Sequence, residues 1–466
     1  MLDNHLDMVS ALVGLGLSAR IQVAINTAYR GTILTHILNN SGAHVALVEA
    51  AYIERIAEVA ADLTSLETVV VRGKASDARL PAHINMVAFD ALMATPLEAE
   101  DVAPWDLCAI MYTSGTTGLS KGVMIPHGHA YGVATPAVYG AAEVDDVNLV
   151  MLPLFHATGQ FTGLYNALIA GASAVILPKF TASRFWDKVR AYGCTYTNIQ
   201  GTIAQFLLNQ PPRDDDRDHP MRIIGMGPLI AELDQFKERF GVSLINTGYG
   251  STEFGCVTQV AAEHARPGLV GWPRTNHCEI RIVDENDLDV PEGEVGELVV
   301  RNVEPWTVMV GYHDMPAATA SAWKNLWFHT GDRMRRDASG QLVFIDRNND
   351  AIRRRGENIS SFEVEREINA HPAVFESAVI AAPTQFPDDE VKACVVLQPG
   401  SVVDAEGLHA WLEMRIPAFM VPRYIEFMDD LPKTPTEKVQ KAILRATVYN
   451  DRTWDRLAGA KGHADI

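Results

Sequence analysis

Short apolar runs alternate with helical stretches through the first half of this chain, and that rhythm restricts the available folds more than any other feature. Residues 43–49 (AHVALVE) and 68–71 read as short buried strands, with a helical pattern near residues 52–63 between them. The rhythm returns at residues 107–112, 148–152, 174–177, 221–225 and 243–246. Buried strands joined through helices predict βαβ units and a mainly parallel sheet. The pattern changes after Arg266. Residues 277–286 and 293–302 alternate apolar and polar side chains between Gly, Pro and acidic turns, which predicts antiparallel hairpins. A strand at 341–345 ends in the polar run Asp346-Arg347-Asn348-Asn349-Asp350, where a domain boundary is expected. Helical stretches at 362–369 and 406–413, with strands at 377–382 and 393–397, then predict a small α+β unit.

At 466 residues the chain is too long for one compact core. Its 58 acidic against 39 basic side chains give a formal charge of −19, which repels nucleic acid and argues against that class of partner. A polyphosphate must therefore be held locally, by backbone amides, a few cations or a metal. The five cysteines are scattered without a CxxC pair, so neither a disulfide framework nor a structural zinc site is expected, and the reducing cytoplasm is the expected compartment. MLDNHLDMVS has neither the basic nor the apolar region of a signal peptide. The longest uncharged stretch, 161–177, is broken by Gly163, Asn166, Gly171 and Ser173, and reads as a buried helix and strand instead of a membrane span. PPRDDDRDHP (211–220) reads as an exposed acidic loop without a functional role.

The strongest local signal is Tyr112-Thr113-Ser114-Gly115-Thr116-Thr117-Gly118-Leu119-Ser120-Lys121-Gly122. A buried strand runs into hydroxyls, glycines and one lysine. Glycines let backbone N–H groups turn toward an anion, while hydroxyls and an ammonium add donors. A Walker A loop needs Ser or Thr after its lysine, and here Gly122 follows Lys121. Residues 118–122 satisfy GxSxG, the nucleophile elbow of serine hydrolases. That elbow sets its serine on the turn straight after a strand, whereas seven residues separate Tyr112 from Ser120.

This loop resembles the phosphate-binding signature of the adenylate-forming superfamily: acyl- and aryl-CoA synthetases, peptide-synthetase adenylation domains and beetle luciferases. Further motifs follow in family order from about Gly14 to Arg445. Asn246-Thr247-Gly248-Tyr249-Gly250-Ser251-Thr252-Glu253 resembles the second nucleotide motif. The resemblance implies that Tyr249 stacks on adenine, Thr252 bonds the α-phosphate and Glu253 holds Mg²⁺, with Gly250 and Ser251 in the same nucleotide-binding turn. Those roles suit an amphipathic ring, a short hydroxyl and a hard oxygen ligand. Thr330-Gly331-Asp332 resembles the motif whose aspartate accepts both ribose hydroxyls, and Asp346-Arg347 the pair closing over the ribose. Asn349 stands at the hinge position, where the family usually has Asp or Lys. Asp350–Ile359 with Glu363-Val364-Glu365 resembles the opening loop of the small domain. By that likeness Gly356 lets pantetheine pass, and Arg353 and Arg355 meet coenzyme A phosphates.

Pro432-Lys433-Thr434-Pro435-Thr436-Glu437-Lys438 resembles the motif whose lysine bridges the substrate carboxylate and α-phosphate, which assigns that role to Lys438; most relatives have Gly where Glu437 stands. Leu152-Pro153-Leu154-Phe155-His156 resembles the segment whose histidine borders the acyl pocket. Met226 and Gly227 occupy the glycine-rich pocket wall, with Gly248 also on the pocket; Met226 replaces a frequent Gly, implying a shorter acid pocket or a crowded adenine. VAINTAYRG (23–31) resembles a segment that the family reaches only after several dozen residues, so the first helices and strand of the large domain are expected to be absent.

The resemblance implies a large domain over 1–347, with α/β subdomains at 1–105 and 106–265 and a β-barrel-like subdomain at 266–347. After it come a hinge at 348–350, a small mobile α+β domain at 351–446 and a tail at 447–466. It implies an ATP-dependent, AMP-forming acid–CoA ligase with ATP, Mg²⁺ and coenzyme A as cofactors and a small carboxylic acid as partner, and it allows a homodimer. INTAYRG with RRGENIS most resembles the branch containing carnitine/crotonobetaine-CoA ligases. The alternatives are an acyl-AMP ligase loading a carrier protein, a truncated inactive nucleotide-binding homologue and, outside the family, the GxSxG hydrolase.

Overall fold

The computed structural model describes residues 1–74, 78–92, 98–113, 120–135, 142–242, 244–260, 262–347, 352–354, 357–359, 361–384, 389–416, 418, 420–434 and 437–458. Its packing divides the chain into two compact units. One comprises Met1–Arg281 with Val299–His329, the other Ile282–Leu298 with Thr330–Ile466.

Apolar runs of the first unit form parallel sheets packed against helices, as the alternation predicted. Five strands lie in the order Leu244–Asn246, Ile223–Met226, Tyr196–Ile199, Val147–Val150, Ser173–Ile176, all parallel. Helices Phe185–Tyr192, Gly201–Leu208 and Leu233–Phe240 place Trp186, Ile203, Leu207, Phe236 and Phe240 against Leu149, Ile199, Ile224 and Ile245. A three-stranded parallel sheet, Val45–Glu49, Thr68–Arg72 and Asn85–Ala88, packs with helices Gly31–Ser41 and Ile53–Val59 in a second core. The uncharged stretch at 161–177 falls in a π-helix Thr158–Tyr165, a helix Asn166–Ala170 and strand Ser173–Ile176.

Three details come from the structure alone. The strand Leu107–Thr113 is parallel to Gln22–Ala24 but antiparallel to Lys121–Pro126, which pairs in turn with Gly311–Tyr312. The glycine-rich loop therefore joins the arms of a hairpin, and strand Lys121–Pro126 was hidden in the sequence by its lysine and glycine. Residues 211–220 form the expected exposed loop, but its acids are paired. Asp216 is buried against Arg239 at 2.8 Å, and Asp215 pairs with Arg190 at 3.0 Å and Arg213 at 2.9 Å, so the acids neutralise neighbouring guanidiniums. The packing boundary lies inside strands Gly296–Asn302 and Trp327–Arg336, since ladder pairing of Asp332 with Arg347 keeps 330–347 in one unit with the C-terminal residues.

In the second unit, Val374–Pro383 pairs antiparallel with Asp389–Leu397, which lies parallel to Tyr424–Phe427. Helices Ser361–Asn369 and Ala405–Glu413 cover it with Val364, Ile368, Leu408 and Leu412. The expected tail at 447–466 is structured over its described part. Trp454–Asp455 adds a fourth strand beside Tyr424, and Arg423 bonds Asp455 through Nε and Nη2, both at 3.0 Å. The Lys392 ammonium is buried 2.6 Å from Glu426 and also faces the Val448 carbonyl.

Candidate functional site

Two adjoining arms, Leu107–Thr113 and Lys121–Pro126, carry the described ends of the phosphate loop, Thr113 opposite Lys121. Ser114, Gly115, Thr116, Thr117 and Gly118 lie outside the described residues. The helix Gly31–Ser41 buttresses these arms: Tyr112 donates its hydroxyl to Asn40 at 2.6 Å, and His36 Nε2 lies 2.9 Å from the Ser120 carbonyl. A strand, not a helix, follows Ser120, so the strand–turn–helix geometry of a nucleophile elbow is absent and the hydrolase alternative falls.

The second nucleotide motif folds as a tight hairpin, Gly250–Ser251 against Gly255–Cys256, with Thr252, Glu253 and Phe254 at its turn. Gly250 is required by close approach, because a Cβ there would lie 2.2 Å from the Gly255 carbonyl. Thr258 Oγ1 accepts from the Tyr249 amide at 2.8 Å. The Tyr249 ring is half-buried, its centroid 5.8 Å from that of Phe254. Gly248 abuts the Thr258 carbonyl, 2.7 Å from where a Cβ would be. Thr252 and Glu253 are half-buried. Ser251 donates to Glu253 Oε2 at 2.8 Å and accepts from the Glu253 amide at 3.1 Å.

The fold joins these two motifs through Tyr312, a residue that the sequence alone did not single out. Its hydroxyl donates to Glu253 Oε1 at 3.2 Å, and Lys121 Nζ sits 4.9 Å from the centre of its ring. Burial, then the charge and hydrogen bond of Glu253, raise the tyrosine pKa, so it serves as a neutral donor. One aromatic ring thus separates a cation from a carboxylate and orients both. Gly311-Tyr312 is a two-residue strand that meets Lys121–Pro126 only in the folded chain, and a Gly-Tyr pair after an apolar run gives no sequence signal.

His156 is half-buried at the start of the π-helix, its Nδ1 accepting from the Thr158 amide at 3.4 Å. Met226 is buried in the core of the five-stranded sheet, whereas a Cβ on Gly227 would meet nothing within 4 Å. In the second unit Asp332 is buried, with Arg347 opposite it in the strand ladder. Strand Ile352–Arg354 carries Arg353. Asn349, Arg355 and Gly356 lie outside the described residues. Lys438 is exposed on a turn closed by Thr434: its amide meets Thr434 Oγ1 at 3.1 Å and its carbonyl accepts from the Thr434 amide at 2.8 Å.

Residues 1–313 match the AMP-binding enzyme family, and residues 363–438 match the AMP-binding enzyme C-terminal domain. This chain belongs to the AMP-binding enzyme family. Curated relatives include a crotonobetaine/carnitine–CoA ligase of Salmonella typhimurium, 32% identical over 465 residues, covering 95% of this chain and 87% of the relative. The Citrobacter koseri protein of the same name is 33% identical over 461 residues with the same coverage. Among solved structures, an anthranilate CoA ligase in complex with anthranoyl-AMP superposes with TM-score 0.86 at 27% identity, covering 99% of this chain and 87% of that one. A benzoate CoA ligase from Burkholderia xenovorans gives 0.82 at 25%, covering 95% and 88%. This member of the AMP-binding family is an acid–CoA ligase using ATP and coenzyme A, in the mixed α/β architecture the motifs implied. No helix among its described residues is long and apolar enough to cross a membrane.

Proposed function

We propose that the ligase activates a small carboxylic acid at the Lys121–Tyr312–Glu253 arrangement and passes the acyl group from AMP to coenzyme A. The observation carrying this reading is that one tyrosine aligns the hairpin lysine with the motif carboxylate. The substrate carboxylate attacks the α-phosphorus of ATP and pyrophosphate leaves. Lys121, Thr113 and the loop between them neutralise the leaving phosphates, while Thr252 and Lys438 hold the α-phosphate as its charge is redistributed. Tyr249 supplies a face for adenine, and Asp332 with Arg347 holds the ribose. Coenzyme A then attacks the acyl carbonyl, with Gly356, Arg353 and Arg355 along its path and Asn349 as the pivot between a large and a small domain.

Magnesium fits this donor set. Among the described residues no group of three His, Cys, Asp or Glu side chains could cage a metal, and Glu253 offers one half-buried carboxylate. Mg²⁺ is commonly held in this way, by one or two carboxylates, substrate phosphates and water. Glu253 would hold it, and the ion would supply neutralising charge to the phosphates. The five free, buried cysteines support a reducing, cytoplasmic setting.

The relatives' names support a substrate that is either a short acid bearing a quaternary amine or a simple aromatic acid. His156, Gly227 and Gly248 would line its pocket, with Met226 behind them. The deciding experiment is a panel of γ-trimethylammonio, short aliphatic and benzoic acids scored by pyrophosphate release, with coenzyme A, with a phosphopantetheinylated carrier protein, or with neither. Acid-dependent release that turns over only with coenzyme A supports the proposal. Turnover only with the carrier, or no release with any acid, sinks it.

A further inference from the structure

We infer that His129 is a positioning residue for the nucleotide site, one imidazole holding the turn of Glu253 and the segment leading to Tyr312 at a fixed separation. This rests on the assignment of Lys121, Glu253 and Tyr312 to that site. His129 lies in helix His127–Ala134, which begins where the hairpin arm Lys121–Pro126 ends. Its side chain is buried, 1% exposed. Nε2 lies 2.9 Å from the Thr252 carbonyl and Nδ1 2.7 Å from the Thr307 carbonyl. These carbonyls belong to segments far apart in sequence, and each reaches the site within a few residues. Thr252 precedes Glu253. Thr307 leads to Met309, whose amide donates to the Glu253 carbonyl at 2.8 Å, and then to Tyr312.

The surroundings leave this ring little freedom. A Cβ on Gly255 would lie 3.3 Å from His129 Cε1, so the imidazole fills the space beneath the Glu253 turn. Asn302 Nδ2 donates to the same Thr307 carbonyl at 2.6 Å, anchoring that end from the close of the preceding strand. Val310 donates to Met124 at 2.9 Å and His313 to Gly122 at 2.8 Å, fastening the segment to the hairpin arm that begins at Lys121. Two carbonyls can only accept, so a doubly protonated ring satisfies both and a neutral ring satisfies one. Burial outweighs the two carbonyl bonds and the Glu253 charge and holds the His129 pKa below the usual histidine value. A side chain with donors on one edge cannot span both carbonyls, and an apolar ring offers neither bond.

The test compares His129→Phe and His129→Asn with the wild-type full-length enzyme, measuring KM for ATP and coenzyme A, kcat and Tm. The Phe variant should raise KM for ATP about tenfold or more, the loss of buried bonds to a positioned turn, with KM for coenzyme A within about twofold. Asn should recover part of the ATP effect. A Phe variant with unchanged KM for ATP overturns the inference. So does a uniform loss of activity that tracks Tm without a split between ATP and coenzyme A. Lys121→Ala is measured beside them: if it also leaves KM for ATP unchanged, the assignment of the site fails, and not merely the role of His129.

Discussion

Glu437 sits at φ +60°, in the left-handed region that costs a residue with a Cβ about 1–2 kcal/mol. The Glu437 amide donates to Thr434 at 2.9 Å, and Thr434 in turn pairs with Lys438 through two backbone-directed bonds. A glycine is the natural occupant of such a position, which accounts for the Gly that the resemblance leads one to expect before the lysine. The Glu437 carboxylate approaches Lys433 at 3.7 Å, but that ammonium is already paired with Glu376 at 2.6 Å, so the longer contact contributes little. Glu437→Gly should therefore stabilise the chain by about 1 kcal/mol in urea or thermal unfolding and preserve adenylation; a clear loss of stability would show that the ion pair outweighs the backbone. At Lys438 the prediction concerns chemistry. Lys438→Ala should slow pyrophosphate release by about 10²–10³ while supplied acyl-AMP is still converted to thioester, and equal loss of both steps would refute its assignment to the first.

Hairpins decide how these residues meet. Thr113 and Lys121 face each other because two antiparallel arms bring the ends of the glycine-rich loop together, and the Gly250–Ser251 hairpin holds Thr252 and Glu253 on one turn. Both motifs were legible because each is a contiguous run, the first by its residue types and the second by its family resemblance, whereas the hairpins that carry them were not. Tyr312 was not, since it lies 59 residues from Glu253 and reaches it only by pairing Gly311–Tyr312 with Lys121–Pro126. His129 was equally hidden, because a histidine near the start of a helix carries no sign of which backbone it will meet. Tyr312→Phe keeps the ring beneath Lys121 but removes the bond to Glu253. It should raise KM for ATP several-fold with Tm nearly unchanged, as expected for one hydrogen bond to a charged group. Unaltered ATP kinetics would mean that Tyr312 only fills space.

Over the whole molecule, two compact units each carry part of the residue set, and the second depends on a buried charge. Lys392 and Glu426 are 1% and 3% exposed and 2.6 Å apart, with Asn450 and Thr453 also bonding Glu426. Removing one partner from such a pair leaves an uncompensated buried charge, so Glu426→Gln should cost about 3–5 kcal/mol in unfolding free energy. Burial pushes the Glu426 carboxyl upward, but the bonds from Lys392 and Asn450 and the ammonium's charge outweigh it and hold the pKa below the usual glutamate value. A depressed acid stabilises the fold fully above its unfolded pKa of about 4.3, and that contribution is lost as pH falls through the lower folded value. Wild-type stability should fall on acidification below about pH 4.3 more steeply than that of Glu426→Gln, measured by denaturant midpoints across the range. The same pair ties 448–453 to the small sheet, which is why residues expected to be a tail are held against it.

Sequence alone determined the parallel cores, the two nucleotide motifs, the small α+β unit and the class of reaction. The cores and the small unit depend on local periodicity, while the second nucleotide motif and the class of reaction depend on contiguous runs that resemble those of a known family. Only the tertiary structure decided that the phosphate loop closes a hairpin, that the aspartates of 211–220 neutralise arginines, and that the last strand is Trp454–Asp455. It alone set Tyr312 between Lys121 and Glu253 and placed His129 beneath the turn. The physical reason is common to all of these: strand pairing and burial join residues separated by tens to hundreds of positions, and no local pattern in a chain encodes its distant partner.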